Sequence, residues 1–383
     1  MTAETSQALL AWCTAERGRL LETIEALVRL ESPSTDKAAV DRCGAELRRR
    51  LLELGAAVTV VDGGQRGDHI RAEIDGRGPR LLILGHFDTV WPVGQLARTP
   101  IARDDGRLHG PGTFDMKAGI GVALLAIRAL HTVPHAICPR VTMLWTADEE
   151  IGSESSRSLI EATARECGAV LVLEPSLPGG AAKTSRKGVG EFHITVHGVA
   201  AHAGLDPDKG ASAIHELAHQ ILAIEGLRGL APGVTVNVGT IEGGTRTNVV
   251  ADRARAGVDV RVQTLAAAAA IEARMAALQP RSPRTRIEVS GGVSRPPLER
   301  TAAVVELYAI ARMAAAELGR ELEEGPAGGG SDGNFTGALG VPTLDGLGPR
   351  GDGAHARHEH VVIDDLPWRA AFLAVLLSRL RER

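Results

Sequence analysis

The chain has 383 residues, 44% apolar and 23% charged, with 43 Lys+Arg against 47 Asp+Glu. Its length favours two domains over one core, and the near balance of charge removes the electrostatic case for nucleic acid or an anionic membrane as partner. No apolar run reaches the ~18 residues a membrane span needs.

Met1 to Gln7 lacks a basic stretch ahead of an apolar one, so no signal peptide is expected. Cys13, Cys43, Cys138 and Cys167 show no paired spacing. A reducing, cytoplasmic setting without disulfides is the expectation. Ala8 to Leu30 reads as one amphipathic helix. Ser32 to Asp36 is a turn able to cap a second helix, Lys37 to Leu54, which Gly55 ends. Val58–Val61, Ile70–Ile74 and Arg80–Leu84 read as strands. The apolar run Leu81-Leu82-Ile83-Leu84, closed by Gly85, suits a strand buried on both faces.

The helix Ala118 to Leu130 follows a loop rich in Gly, Pro and Asp. Val141–Trp145 is another buried strand, Ser156–Cys167 a helix and Ala169–Leu173 a strand. Strands alternating with helices predict an α/β layer with a mainly parallel sheet. The pattern then changes. Gly190–His197, Val234–Ile241, Ala254–Val262 and Thr285–Val289 read as strands, with helices at Ala211–Ile224 and Leu265–Leu278. The order β-α-β-β-α-β is the ferredoxin-like split βαβ unit. Residues 188–293 are therefore expected to form a small domain inserted between 1–187 and 294–383. The helix Val304–Leu318, the strand Val341–Leu344 and the helix Pro367–Arg381 complete the first domain.

Chemistry-bearing residues fall at strand ends, where open α/β sheets place their ligand sites. His86 and Asp88 follow the first buried strand, in GHFDTV. Asp115 lies in GPGTFDMKAG, just before the helix at Ala118. Imidazole and carboxylate oxygen are ordinary Zn²⁺ ligands. Asp88 lies on the same side of an extended chain as His86 and can fix its ring. Asp148, Glu149 and Glu150 follow the strand Val141–Trp145. Three adjacent carboxylates repel unless a cation or proton intervenes. Neighbours in an extended segment point opposite ways, so one of Glu149 and Glu150 can bind metal while the other takes a proton from water. Glu174 comes directly after the apolar strand Ala169–Leu173. In GAHARHEHV, His355, His358 and His360 are each candidate ligands.

GHFDTV, GPGTFDMKAG, TADEEIGS, LEPS, HGVAAHAG and GAHARHEHV stand in the order seen in the M20 family of zinc metallopeptidases. The chain most resembles glutamate carboxypeptidases of the carboxypeptidase G2 type. The resemblance covers nearly the whole chain and implies two zinc ions per subunit, with Co²⁺ able to substitute. It implies that His86 and Glu174 complete one ion, Glu150 and His355 the other, and that Asp115 bridges them. Glu149 matches the general base and Asp88 the residue that orients His86. Met116 stands where carboxypeptidase G2-like relatives carry a second Asp.

The resemblance further implies that His202 reaches the reacting carbonyl from a partner subunit, hence a homodimer. Asn248, Arg261 and Arg295 match positions that hold the substrate. The glycines 328 to 330 with Ser331-Asp332 resemble the family's turn beside the site, and no Gly-Lys-Ser/Thr follows that would make a phosphate loop. The expected activity is cleavage of an amide to release a C-terminal amino acid, glutamate among the options. The expected substrate is a small molecule or short peptide with a free carboxylate. An N-acyl-amino-acid deacylase of the acetylornithine or succinyl-diaminopimelate kind, a dipeptidase, and a catalytically silent metal-binding homologue are the alternatives.

Overall fold

The computed structural model describes residues 2–381; Met1, Glu382 and Arg383, which the sequence reading assigns to the ends of the first domain, lie outside the described residues. The chain divides into two compact units. The first comprises 1–185, 300–327 and 331–383, the second 186–299 with 328–330.

The first unit is built on a six-stranded sheet in the order Ala57–Val61, His69–Ile74, Pro139–Thr146, Arg77–His86, Ala169–Val172, Thr343–Leu344. The last four run parallel, and the first two pair antiparallel at one edge. Leu81 to Leu84 are at most 1% exposed, as a strand flanked on both sides and covered on both faces requires. Leu84 pairs with Leu144 on one side and Val172 on the other. That register brings the ends of three strands level, so His86, the turn after Thr146 and the segment after Val172 leave the sheet together.

The helix Ala118–Thr132 lies against this layer. At Gly119 a Cβ would stand 2.2 Å from the Leu173 carbonyl oxygen, so only glycine lets the helix approach the strand end so closely. The helix Leu366–Leu380 is apolar nearly all round and accordingly buried. Each fully buried Leu or Phe in it stabilises by roughly 1.5–3 kcal/mol.

Two departures from the sequence reading stand out. The helix expected over Ala8–Leu30 is two, Ala3–Ala15 and Arg17–Arg29, with the break at Glu16. Ser6 Oγ and Gln7 Nε2 donate to the Glu317 carboxylate and carbonyl at 2.6 Å each, tying the first piece to the end of the helix Ala302–Glu317. Gly18, just past the break, weakens the local helical preference. The second departure is a small antiparallel sheet in the order Gly351–Asp352, His360–Val362, Arg107–His109, Ala102–Asp104. Its strands have two or three residues, too short for an alternating pattern.

The helix Lys37–Glu53 follows its sequence signals closely. Asp36 accepts from Ala39 N–H at 3.0 Å, and Gly55 takes φ +80 after the last turn. Gly55 N–H and Ala56 N–H donate to Leu52 and Leu51 carbonyls, the paired bonds of a Schellman ending.

The second unit has one antiparallel sheet, ordered Thr235–Gly243, Arg253–Val262, Gly188–His197, Arg286–Arg295. With the helices Ala213–Glu225 and Leu265–Ala276 it forms the βαββαβ arrangement. Phe192, Ile194 and Val196 point into its core, and Glu191 and His193 point to solvent.

Candidate metal centre

His86 closes the central strand. Gly85 before it leaves room for Met116: a Cβ there would lie 2.4 Å from Met116 Cε. Met116 is fully buried, and His86 N–H donates to its sulfur at 3.2 Å. Met116 thus packs beneath the histidine.

His86 Nε2 lies 3.2 Å from Asp115 Oδ1 and 3.4 Å from Glu174 Oε1. The other oxygen of Asp115 is 3.4 Å from His355 Nε2, which lies 3.1 Å from Glu150 Oε2. The five side chains are therefore joined by successive contacts, Glu174–His86–Asp115–His355–Glu150, with one oxygen of the middle carboxylate turned to each ring. One ligand atom each from His86, Asp115 and Glu150 all lie within 4.8 Å of one another.

The electrostatics follow from this crowding. Burial pulls the His86 ring down, but Asp115, Asp88 and Glu174 raise it well above the ordinary histidine range. Asp115 and then Glu150 push His355 up to about 10. Burial works upward on Asp115, and the two rings beside it hold it below the usual carboxylate range. Glu150 is pushed up by burial. The cluster attracts positive charge. Glu150 Oε1 is buried with no hydrogen-bond partner, and such an acceptor is costly unless something binds it. Two imidazoles and three carboxylates with one orphaned oxygen fit divalent cations of the zinc type.

Asp88 is fully buried. Its carbonyl oxygen lies 3.0 Å from His86 Nδ1, and its carboxylate 3.4 Å from the same nitrogen. The carboxylate also accepts from Ser34 Oγ at 2.6 Å, Glu149 N–H at 3.2 Å and Glu150 N–H at 3.3 Å. Asp88 thus joins the histidine to the acidic turn, a 3₁₀ turn over Glu149–Ile151 followed by Gly152 at φ +101. Glu149 is half-buried on this turn beside Glu150.

His355 sits at φ +61 in the loop between Gly351–Asp352 and His360–Val362. His360 faces His109 with ring centroids 5.3 Å apart, and its Nδ1 bonds to the His358 carbonyl.

Glu359, which sequence reasoning passed over, is 2% exposed. It accepts from Trp91 Nε1 at 2.8 Å, Gly112 N–H and Phe114 N–H at 2.9 Å, and Asp115 N–H at 3.0 Å. This carboxylate holds the loop that presents Asp115. Lys117 was missed too. It is buried, and Nζ donates to the carbonyls of Leu27 and Leu30 at the C-terminal end of the helix Arg17–Arg29.

The remaining expected residues belong to the second unit. His202 Nδ1 accepts from Gly204 N–H and Leu205 N–H, both at 3.1 Å. An accepting Nδ1 places the proton of the neutral ring on Nε2. Asn248 is adjacent in the fold, its carbonyl accepting from Ala203 N–H. The Arg261 guanidinium is engaged by Asp259 at 2.9 Å and 3.0 Å. Arg295 is buried beside Gly330, where a Cβ would lie 2.6 Å from its Cδ.

The model of peptidase family M20/M25/M40 matches residues 82–379. Carboxypeptidase G2 of a Pseudomonas species (strain RS-16) is 30% identical over 377 residues, covering 96% of this chain and 90% of that protein. A succinyl-diaminopimelate desuccinylase of Delftia acidovorans is 26% identical, covering 91% and 94%. Among solved structures, the YXEP protein of Bacillus subtilis, described as a dinuclear metal binding peptidase from the M20 family, superposes with a TM-score of 0.67 at 20% identity. It covers 96% of this chain and 99% of that one.

Proposed function

The chain belongs to peptidase family M20/M25/M40, and from that membership we propose that it is a dizinc amidohydrolase releasing an amino acid with a free carboxylate from its substrate. The observation that carries this reading is the linked set of donors with Asp115 at its centre. His86 and Glu174 would hold one ion and Glu150 and His355 the other, with Asp115 shared. Zinc bound there supplies Lewis-acid polarisation of the scissile carbonyl and a water acidified toward neutral pKa.

The chain's own groups do the rest. Glu149 accepts the water proton as oxygen adds to the carbonyl carbon, and returns it to nitrogen as the C–N bond breaks. Asp88 keeps His86 in place and clasps the turn bearing Glu149. His202 offers Nε2–H to the developing oxyanion, a contact whose loss in comparable sites costs about 2.7–4 kcal/mol. Arg295 and Asn248 are the substrate-side groups. Arg261 is the weaker candidate for the carboxylate, because Asp259 already occupies its guanidinium.

The second unit is proposed as a dimerisation domain through which a partner's His202 completes the site. Among the described residues its edge strand Thr235–Gly243 pairs on one side, and Leu222 and Ile241 are 71% and 62% exposed, features that favour association. Sedimentation is expected to show a dimer under assay conditions. A monomer with full turnover would remove this part of the reading.

The bond cleaved is tested with a hydrolysis panel on zinc-loaded protein: glutamyl amides of aromatic acids, N-acetyl amino acids, succinyl-diaminopimelate and dipeptides. Release of glutamate at the highest kcat/KM is expected, in keeping with the carboxypeptidase G2 likeness. Turnover of succinyl-diaminopimelate or acetyl substrates alone would establish the deacylase alternative, which the desuccinylase likeness supports. No turnover with Zn²⁺ or Co²⁺ on any substrate would favour the silent homologue.

A further inference from the structure

Glu149, the proposed base, needs a fixed place beside the metal-holding residues. It sits on a 3₁₀ turn of three residues, followed by Gly152 at φ +101 and Ser153 at φ +59. No helix or strand ladder fixes such a segment. Asp88 clasps its N–H groups from one side. On the other side lies a group of polar side chains that the proposed mechanism does not use.

His69 begins the strand His69–Ile74 and is 1% exposed. Ile70 pairs with Trp145, which sets His69 beside the chain leaving the strand at Thr146. Its Nδ1 accepts Ala147 N–H at 3.2 Å. The neutral ring's proton is therefore on Nε2, which lies 3.2 Å from Ser155 Oγ. With that oxygen accepting from His69, its own hydrogen goes to Asp148 Oδ2 at 2.7 Å. Asp148 Oδ2 also accepts Ser155 N–H at 2.7 Å and Ser156 N–H at 3.4 Å. Every donor in this chain has one direction open to it. Burial lowers the His69 ring's affinity for a second proton against the pull of Asp148, Asp332 and Asp88, so the neutral form is the one held.

We propose that His69 and Ser155 are positioning residues for the hydrolysis, acting through Asp148 to fix the turn that carries Glu149 and Glu150. The chain encloses the turn on both sides: Ala147 N–H lies before the acidic residues, Ser155 and Ser156 after them. A shift of the turn breaks a bond at one end or the other. A polar network buried only for packing would not need to converge on the residues that flank Glu149, and aliphatic side chains would fill the same space at less desolvation cost. Outer-shell partners of metal sites commonly matter by 10–100-fold.

The proposal depends on Glu149 being the base, so the test pairs its variants with Glu149→Gln. Ser155→Ala, with saturating Zn²⁺, is expected to lower kcat by about 10–100-fold with KM within about twofold. Ser155→Thr, which keeps the hydroxyl, is expected to recover most of that loss. Hydrogen exchange at residues 149–153 is expected to quicken in Ser155→Ala with or without added zinc. His69→Phe is a second variant, read the same way if it folds. Unchanged kcat and unchanged exchange in Ser155→Ala, beside an inactive Glu149→Gln, overturn the positioning role and leave the hydrolase reading standing. A lower melting temperature with unchanged kcat does the same. An active Glu149→Gln would instead strike at the hydrolase reading itself.

Discussion

Glu149→Gln is expected to lower kcat by about 10²–10⁴-fold while binding of added zinc is retained. The substitution removes the base and keeps the side chain's size. The contact between the turn and Asp88 runs through the backbone N–H of Glu149, which glutamine preserves. Glu150, the neighbouring donor, stays in reach of His355. Steady-state kinetics under saturating zinc, with metal content by emission spectroscopy, gives both readings from one preparation. Wild-type turnover in this variant would remove Glu149 from the mechanism.

The second large effect is expected from Asp115→Asn. Asp115 turns Oδ1 to His86 and Oδ2 to His355, so both oxygens are in use. Asparagine keeps the shape and supplies a single acceptor, with an amide NH₂ where the second stood. Outer-shell changes already cost 10–100-fold, so loss of the shared donor is expected to exceed about 100-fold in turnover. Zinc content should fall below two per chain. The thermal stabilisation on adding zinc, which measures binding to the folded form, should shrink with it. Two zinc ions per chain with full turnover would show that Asp115 is not shared in the way proposed.

Much of this was legible in the sequence for a physical reason. Buried parallel strands are nearly uniform in apolar character, so Leu81–Leu84 and Val141–Trp145 announce themselves. Polar residues clustered within a few positions of the ends of such runs, as at His86, Glu149 and Glu174, stand where an α/β sheet places its ligand site. Which of Glu149 and Glu150 faces His355 was not legible in the spacing, and only the family resemblance picked out Glu150. The alternation argument holds for an extended chain, and the segment is a 3₁₀ turn. Nor was the choice among His355, His358 and His360. That choice depends on a loop whose first residue at the site has φ +61, between strands of two and three residues. Glu359 was hidden between two histidines in what reads as a solvated charged run. Only the fold shows that its oxygens face the N–H groups of Gly112, Phe114 and Asp115. The anchor of the first helix piece, Ser6 on Glu317, lies some three hundred residues on, beyond any local window.

Glu359 also bears on when the site can exist at all. The loop presenting Asp115 is pinned by a side chain 244 positions downstream, and His355 lies in that same late segment. Closing so long a span comes late in assembly, because its entropy must be met before its contacts form. A nascent polypeptide emerging from the ribosome carries His86, Asp115, Glu150 and Glu174 long before it carries the remaining donor and the clasp. On the proposed assignment, a chain that ends before residue 355 lacks one of the five metal-holding side chains and the carboxylate that pins Asp115.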